Sequence, residues 1–384
     1  MECVAIVPAD EVEWWTNSLK VWGASRFIVK TDHTSVVVPT KEALEKKKAH
    51  LIECGLPEAQ AAISVATDLP GGFKETTPSS CFYTHVIKPD GNVDEALKWF
   101  AEYTKAAKNS KGHSLVSHTY NPETREIIAI DIISGPNAMD NHIGNCFPAY
   151  AKMIGSGVEM KECVAIVPAD EVEWWTNSLK VWGASRFIVK TDHVNDVSLN
   201  ATNATPTEEA LAKKKAHLIE CGLPEAQAAI SVATDLPGGF KETTPSPCFY
   251  THVIKPDGNV DEALKWFAEY TKAAKNSKGH SLVSHTYNPE TREIIAIDVI
   301  SGPNAMDNHI GNCFPAYAKM IGAGVEMKEC VAIVPADEVE WWTNSLKVWG
   351  ASRFIVKTDH TKVEAVKTVE TGIDATKYAM DVSQ

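Results

Sequence analysis

The chain has 384 residues, which is too long for one ordinary hydrophobic core and fits two domains of about 150 residues each. It carries 37 Lys and Arg against 50 Asp and Glu, a formal net charge of −13, so we expect no nucleic acid partner. No run of about 18 apolar residues appears, so we expect no membrane partner either.

The cysteines favour a reducing compartment. Nine is an odd number, and their spacing is too wide for Cys-x-x-Cys metal sites. The sequence shows no signal-peptide pattern, so we expect a cytoplasmic protein, or one inside an organelle that has lost a targeting segment. Glycosylation sequons at Asn200 and Asn203 would indicate a secreted protein instead. They lie in a Thr/Asn/Ala-rich stretch, however, where such triplets arise by composition.

The sequence repeats itself almost without change. Residues 46–193 recur as residues 213–360. The substitutions between the copies are Ser80 to Pro247, Ile132 to Val299 and Ser156 to Ala323. A repeat of this length is a duplicated domain rather than a solenoid unit of roughly 20–50 residues. We therefore expect any site to exist twice.

A further, partial copy lies at residues 2–33 and matches only the last third of a complete unit. About thirty residues bury too little apolar surface to offset chain entropy, which costs roughly 1–2 kcal/mol per residue for the backbone. We therefore predict that this orphan segment docks on a sheet edge or helix layer of a repeat or of a neighbouring chain, through Trp14, Trp15 and Trp22. It is the predicted route to further homo-oligomers.

The first complete unit opens with helical patterns over residues 41–54 and 57–67, which end at a Leu-Pro-Gly-Gly stop. Residues 81–88 are a β-rich run closed by a Pro-Asp-Gly turn. Asn92 can cap the helix that follows, where apolar residues recur at helical spacing.

The rest of the unit completes a recognisable order. Residues 114–120 and 126–134 are two predicted strands joined by a short hairpin loop, and Gly135 starts a second helix. A fourth strand over 161–167, a short helix over 171–182 and an extended segment over 186–190 follow. The order β-α-β-β-α-β predicts an α+β fold of the ferredoxin-like type, with an antiparallel sheet and both main helices on one face.

Five stretches of each unit together resemble one known family. In the first unit they are His85-Val-Ile-Lys-Pro-Asp-Gly, the helix over residues 93–109, the hairpin around His118-Thr-Tyr-Asn-Pro-Glu, the segment over residues 135–150 and the closing segment over residues 179–187. These resemble the antibiotic-biosynthesis monooxygenase-like family of dimeric α+β barrels, in which the second helix carries a histidine where this chain has His142. The resemblance implies two sheets paired across a cleft, so two copies in one chain imply an internal pseudo-dimer.

The elements and the resemblance give predicted domain boundaries. The orphan segment covers residues 1–34. Unit 1 covers 41–193, with lead helices at 41–72 and a barrel domain at 81–191, and a linker follows at 194–207. Unit 2 covers 208–361, with lead helices at 208–239 and a barrel domain at 248–358, and a tail covers 362–384.

Alternation divides each strand into two faces. In the third strand Ile128, Ile130 and Ile132 form a wholly apolar face, which we assign to the side covered by the helices. The opposite faces, which we expect to line the inter-sheet cleft, carry Tyr83, His85, His118, Tyr120 and Asp131 in the first unit and Tyr250, His252, His285, Tyr287 and Asp298 in the second. A partly apolar cleft with a few polar groups is a typical small-molecule site.

Three interpretations of these polar residues remain open. A histidine oriented by an aspartate can abstract a proton from a phenol or enol, as cofactor-free oxygenation requires. The same groups could hold a divalent metal, but no ligand pair has a diagnostic spacing, so we predict no metal ligand and no cofactor. Alternatively, the histidines only satisfy one another at a buried pseudo-dimer seam. The catalytic candidates are His85, His118, Asp131, His142, His252, His285, Asp298 and His309, and the substrate-binding candidates are Tyr83, Tyr120, Tyr250 and Tyr287.

Two functions follow as expectations. The first is a small-molecule-binding barrel, acting as a cofactor-independent monooxygenase or related enzyme on a small aromatic or polyketide-like substrate. The second is a structural or self-assembling protein without catalysis, built from the duplicated barrels. Trp182 and Cys146 are expected to be packing residues in either case.

Overall fold

The computed structural model describes residues 39–180, 182–191, 206–347, 350–351 and 353–358, and the backbone of residues 2–7 and 26–31. Within these ranges the chain forms two near-identical units and a separate pair of short strands. No helix in the described ranges is long and apolar enough to cross a membrane.

The elements follow the predicted order. The chain starts with β1 (Glu2–Val7) and β2 (Arg26–Thr31). The first unit contains α1 (Lys41–Glu53), α2 (Glu58–Ala66), β3 (Ser79–Ile87), α3 (Val93–Lys108), β4 (His113–Asn121), β5 (Glu126–Ile133), α4 (Pro136–Gly155), β6 (Val158–Val167), α5 (Val172–Lys180) and β7 (Arg186–Thr191). The second unit contains α6 (Glu208–Glu220), α7 (Glu225–Ala233), β8 (Ser246–Ile254), α8 (Val260–Lys275), β9 (His280–Asn288), β10 (Glu293–Ile300), α9 (Pro303–Gly322), β11 (Val325–Val334), α10 (Val339–Lys347) and β12 (Arg353–Thr358).

Local side-chain chemistry fixes where helices begin. The Asn92 Oδ1 atom accepts a hydrogen bond from the Glu95 amide at 3.1 Å, which confirms the predicted cap of α3. Thr40 caps α1 in the same way, through the Ala43 amide at 3.2 Å. Each cap satisfies an amide that would otherwise lack a partner in the first helical turn.

Each unit has a five-stranded sheet in the order β4-β5-β3-β6-β7, or β9-β10-β8-β11-β12 in the second unit. The neighbouring strands are antiparallel except for the last pair, β6 with β7 and β11 with β12, which is parallel. This is the ferredoxin-like split βαβ arrangement with one added strand, so the predicted fold class is confirmed. The described strands do not close into a barrel.

The two sheets face each other and share one hydrophobic core. Phe82 of β3 and Phe249 of β8 stack with their ring centroids 3.8 Å apart and their planes 4° apart. The other buried residues of this core are Ile128, Ile130, Val164, Ile166 and Ile188, with Ile295, Ile297, Val331, Ile333 and Ile355 from the second unit. At its rim Arg186 bonds Glu293 and Arg353 bonds Glu126, each at 3.1 Å. The predicted internal pseudo-dimer is therefore confirmed.

The predicted assignment of the strand faces is wrong. Ile128 and Ile130 face the other sheet, whereas His118 lies under the helices and bonds Thr104 of α3 at 2.9 Å. Both faces of β5 are buried, so an apolar face does not identify which layer covers it. The wholly apolar face packs at the seam, the interface between the two sheets, where no polar partners are available. The helices, by contrast, supply hydroxyl groups that bond the histidines.

The lead helices α1 and α2 pack on the outer side of α4. A Cβ atom on Gly144 of α4 would lie only 2.8 Å from the Ser64 Cβ, so the glycine permits a close approach to α2. The Lys47 ammonium donates to Asn145 at 2.7 Å, and the Asn141 amide donates to the Thr67 hydroxyl at 2.8 Å. The lead helices are thus part of each unit's fold.

The orphan segment pairs with itself. Strands β1 and β2 are parallel, with Glu2 opposite Arg26, in the register that Glu162 and Arg186 show in β6 and β7. They form their own two-stranded sheet instead of adding to the edge of a five-stranded one. The predicted contacts through Trp14, Trp15 and Trp22 lie outside the described residues, as do the tail and most of the linker, so docking of the segment stays a prediction.

Candidate functional site

A pocket lies in each unit between the sheet and the helices. The cavity has a volume of about 40 Å³ in each unit, and it opens to solvent through a mouth. The cavity of the first unit is lined by Tyr83, His85, Tyr103, Met139, His142, Ile143, Cys146, Phe147, Tyr150, Met160, Cys163, Leu179 and Trp182. A mostly apolar lining with a few polar groups is typical of a small-molecule site, and in a cavity of this volume an organic ligand requires the lining side chains to move apart.

Aromatic rings form one wall of the pocket. Trp182 meets Tyr150 edge to face at a centroid distance of 4.8 Å and lies 5.6 Å from Phe147. Tyr150 also meets His85 edge to face at 5.7 Å. Such edge-to-face contacts hold the rings in fixed orientations, so the wall presents a defined surface to a flat ligand.

His85 has no hydrogen-bond partner on either ring nitrogen, although only 4% of the residue is exposed. His252 repeats this in the second unit. Burial, followed by the charge of His118, lowers the pKa of His85 from 6.5 to about 4. The ring is therefore neutral at pH 7, with one nitrogen able to donate and the other able to accept a hydrogen bond.

His142, by contrast, is held from two sides. Its Nε2 atom shares a hydrogen bond with the Tyr103 hydroxyl at 2.8 Å, and its Nδ1 atom lies 3.0 Å from the Nε2 atom of His113. Burial, followed by the charge of His113, lowers the His142 pKa to about 3, so this ring is neutral as well. His309, Tyr270 and His280 form the same chain at the same distances in the second unit.

His118 and Asp131 form a pair behind the pocket. The His118 Nε2 atom lies 3.1 and 3.3 Å from the two Asp131 oxygens, and both side chains are fully buried. Burial alone would raise the Asp131 pKa, but the charge and hydrogen bond of His118 outweigh it and the pKa is lowered. Neither residue lines the pocket.

One group of three side chains has the geometry of metal ligands. Ligand atoms of His280, Asp298 and His309 all lie within 4.8 Å of one another. The Asp298 Oδ1 atom bonds His285 at 3.0 Å, while its buried Oδ2 atom has no hydrogen-bond partner. This set differs from the one considered from the sequence, because it contains His280 and not His252 or His285.

The cysteines of the site are poor nucleophiles. Burial raises the pKa of the Cys146 and Cys163 thiols well above 9 and that of Cys81 to about 12. A thiol attacks only as its thiolate, so Cys146 and Cys163 act as small apolar groups in the wall of the pocket, and Cys81 does so in the adjoining core. The described cysteines are all free of disulfide bonds.

The structure separates the predicted site residues into two groups. Tyr83, His85 and His142 line the helix-side pocket, while His118 and Asp131 pair behind it. Tyr120 is half-buried and packs against another core cluster, outside the pocket. The predicted placement at the inter-sheet cleft was wrong for Tyr83, His85, His118, Tyr120 and Asp131, which lie on the helix side of the sheet. The alternative that put the histidines at the interface between the two sheets was wrong for the same reason.

Sequence reasoning missed Tyr103 and His113, which hold His142. His113 directly follows Gly112 at the start of β4, where the strand pattern gives no face. Tyr103 is one aromatic residue on a helix whose buried side also holds Phe100, and its spacing looks like ordinary packing. Only the tertiary fold brings them to His142, since His113 and His142 are separated by an entire hairpin.

Comparison with known proteins leaves the family open. No protein-family model matches the sequence, and no curated protein does. Among solved structures, a candidate monooxygenase from Lactobacillus acidophilus is 9% identical with a TM-score of 0.35, over 67% of this chain and 91% of that one. A candidate monooxygenase from Fusobacterium nucleatum is 13% identical with a TM-score of 0.35, over 66% and 90%. MupZ from Pseudomonas fluorescens is 10% identical with a TM-score of 0.27, over 33% and 100%. Similarity at this level carries no activity over to this chain.

Proposed function

We propose that each unit binds one small, flat, mostly apolar molecule that carries a hydroxyl or carbonyl group. The observation that carries this proposal is the unpartnered ring of His85, repeated at His252, inside a pocket lined by apolar and aromatic side chains. A buried polar group without a partner costs about 1–3 kcal/mol, and a ligand hydroxyl would remove this cost. The ligand's apolar part would lie against Tyr150 and Trp182.

A finer proposal adds cofactor-independent oxygenation of that molecule. His85 would take a proton from an enol or phenol, and the resulting carbanion would react with O₂, one oxygen atom entering the product and the other leaving as water. The substrate supplies the electrons. Because the His85 pKa is about 4, the substrate must be more acidic than a simple phenol, whose pKa is about 10.

A pair of matched ligands tests the binding proposal. 4-Methylphenol and 1,4-dimethylbenzene have nearly the same shape, and only the first has a hydroxyl group. We expect the full chain to bind 4-methylphenol more tightly, by about tenfold for one hydrogen bond worth about 1.4 kcal/mol. In the variant H85L/H252L this preference should disappear, while binding of 1,4-dimethylbenzene is retained. Calorimetric titration measures both affinities.

The control variant is Y120F/Y287F, which removes the hydroxyl groups of two tyrosines outside the pocket. It should keep the preference for 4-methylphenol. If wild-type protein binds the two compounds equally, or if H85L/H252L keeps the preference, His85 is not the ligand's partner. If neither compound binds, the alternative of a non-catalytic, self-assembling protein gains support.

A further inference from the structure

We infer that His280, Asp298 and His309, and the equivalent His113, Asp131 and His142, form sites for a divalent first-row transition-metal ion. This goes beyond the proposed ligand pocket. The pocket and the cation site share one histidine in each unit but use different sides of its ring. The ligand set is two imidazole nitrogens and one carboxylate oxygen, which suits ions such as Zn²⁺, Co²⁺ and Ni²⁺ better than Mg²⁺ or Ca²⁺.

The spacing of the nitrogen atoms fits this assignment. The Nε2 atom of His280 and the Nδ1 atom of His309 are 3.0 Å apart. Two nitrogens bound to one ion at about 2.1 Å lie about 3.0 Å apart at an angle of about 90° and about 3.4 Å apart at a tetrahedral angle. All the ligand atoms of the set lie within 4.8 Å, so an ion between them needs only small side-chain movements.

An unpartnered carboxylate oxygen is the second, independent observation. Asp298 is fully buried, its Oδ1 atom bonds His285, and its Oδ2 atom has no hydrogen-bond partner. A buried carboxylate oxygen without a partner is costly, and it needs either a donor or a cation. A cation bound by the Asp298 carboxylate and the two histidines would supply such a charge.

Outer hydrogen bonds hold the ligands in position. The other nitrogen of His309 bonds the Tyr270 hydroxyl at 2.8 Å, and His285, which bonds Asp298, is itself held by Thr271 at 2.9 Å. Such outer partners orient metal-binding side chains and set the histidine tautomer. His280 is half-buried, so the site has a path to solvent.

In the first unit the same residues are present, but the Asp131 carboxylate turns both oxygens towards His118, at 3.1 and 3.3 Å. His113 and His142 keep their 3.0 Å spacing. The two units therefore differ only in how the carboxylate of Asp131 or Asp298 is turned relative to its histidine partner. We infer that both units bind the ion.

Binding would also affect the pocket. An ion on the Nδ1 atom of His309 forces its proton onto Nε2, which then donates to the Tyr270 oxygen. The Tyr270 hydroxyl hydrogen is then released to point into the pocket, where Tyr270 is a lining residue. The cation would thus give the pocket a hydrogen-bond donor besides His252.

Cobalt binding to the full chain tests the inference. The measurement should start from the background variant H50Q/H217Q, because His50 and His217 each lie 3.8 Å from a cysteine on the surface and offer adventitious metal sites. Addition of Co²⁺ to chelator-treated protein should produce visible d–d absorption and raise the unfolding temperature. The further substitutions H113Q/H280Q, at half-buried positions, should abolish both effects.

Two results would overturn the site. One is a Co²⁺ spectrum and a stabilisation that are unchanged in the H113Q/H280Q protein, and the other is their absence from the background variant. If H113Q/H280Q does not fold, anomalous scattering from cobalt-soaked crystals of the background variant decides the matter. The cobalt must then lie between the two histidines and the aspartate, and a position elsewhere contradicts the inference. The phenol preference that depends on His85 is measured without metal, so either proposal can fail alone.

Discussion

His85 and His142 line the same pocket but differ in how they are held. His142 has partners on both nitrogens, so its ring is fixed, whereas His85 has none. An unpaired buried group destabilises the folded state by about 1–3 kcal/mol, and it persists at positions where it serves binding or catalysis. We therefore assign the proposed ligand to the side of the pocket that carries His85, while His118 and Asp131 pair with each other behind the pocket.

The neutral histidines make stability depend on pH. The pKa of His85 falls from 6.5 to about 4 and that of His142 to about 3 on folding, and His252 and His309 repeat these values. Below pH 6.5 the unfolded chain binds protons that the folded chain does not. The stability is thus fully present above pH 6.5 and is lost as the pH falls towards 4, by on the order of several kcal/mol.

Urea unfolding at a series of pH values checks this prediction. The midpoint should be nearly constant from pH 7 to 8 and should fall between pH 6.5 and 4. In H85L/H252L the fall should be smaller, because two of the depressed pKa values are removed. A wild-type midpoint that is flat down to pH 4 would mean that the buried histidines are charged or solvated.

The sequence predicted several residues of this site, but it did not predict on which face of the sheet the site lies. Tyr83 and His85 were predicted because polar side chains alternate on a strand, and His142 was predicted from the family resemblance of the second helix. The alternation separates two faces correctly, as Phe82 and Tyr83 show, yet it does not say which face meets the helices. Both faces are buried here, so that choice depends on tertiary packing.

At the scale of single elements, α4 explains how the site is held. Asn141 and Asn145 point outwards and bond the lead helices, whereas His142 and Cys146 point into the pocket. Neighbouring residues on one helix thus attach the outer layer and line the pocket. The Asp-Asn-His-Ile-Gly-Asn-Cys motif reflects two packing surfaces, and sequence reasoning recognised only the histidine.

Glycines in α4 provide a matched test of this packing. Gly to Ala inside a helix normally stabilises by about 1 kcal/mol. At Gly144 the new Cβ would lie 2.8 Å from the Ser64 Cβ, and overpacking costs about 1–3 kcal/mol. We expect G144A/G311A to lower the free energy of unfolding.

The control for that prediction is G155A/G322A at the end of the same helices. Among the described residues, no atom outside the helix's own backbone and the neighbouring residues lies within 4 Å of the Cβ position there, so this variant should be neutral or slightly stabilised. Chemical unfolding of the two variants measures the difference. Equal stability of both would contradict the close approach of α2 to α4.

For the whole molecule, duplication supplies both halves of one interface. The seam is apolar and built from the same strands of each unit, with the stack of Phe82 on Phe249 near its two-fold. The rim ion pairs are partly exposed and contribute little, roughly 0–1 kcal/mol each. Hydrophobic burial therefore holds the units together. The repeat predicted this arrangement together with the family resemblance, which implies that two such sheets pair.

A single unit should show the same association between chains. The fragment 39–191 exposes the seam face that the second unit covers in the full chain, so we expect it to form a homodimer. Sedimentation measures its mass. The fragment with F82D should be monomeric, because a charge would be buried opposite its own copy. A wild-type fragment that stays monomeric at high concentration would show that the linked chain alone keeps the seam closed.

The location of the bound ligand tests the central claim most directly. In crystals of the full chain soaked with 4-iodophenol, anomalous scattering should place iodine in both helix-side pockets, with the phenol oxygen within hydrogen-bonding distance of a ring nitrogen of His85 and of His252. Iodine at the seam between the sheets, or in neither pocket, would contradict the account.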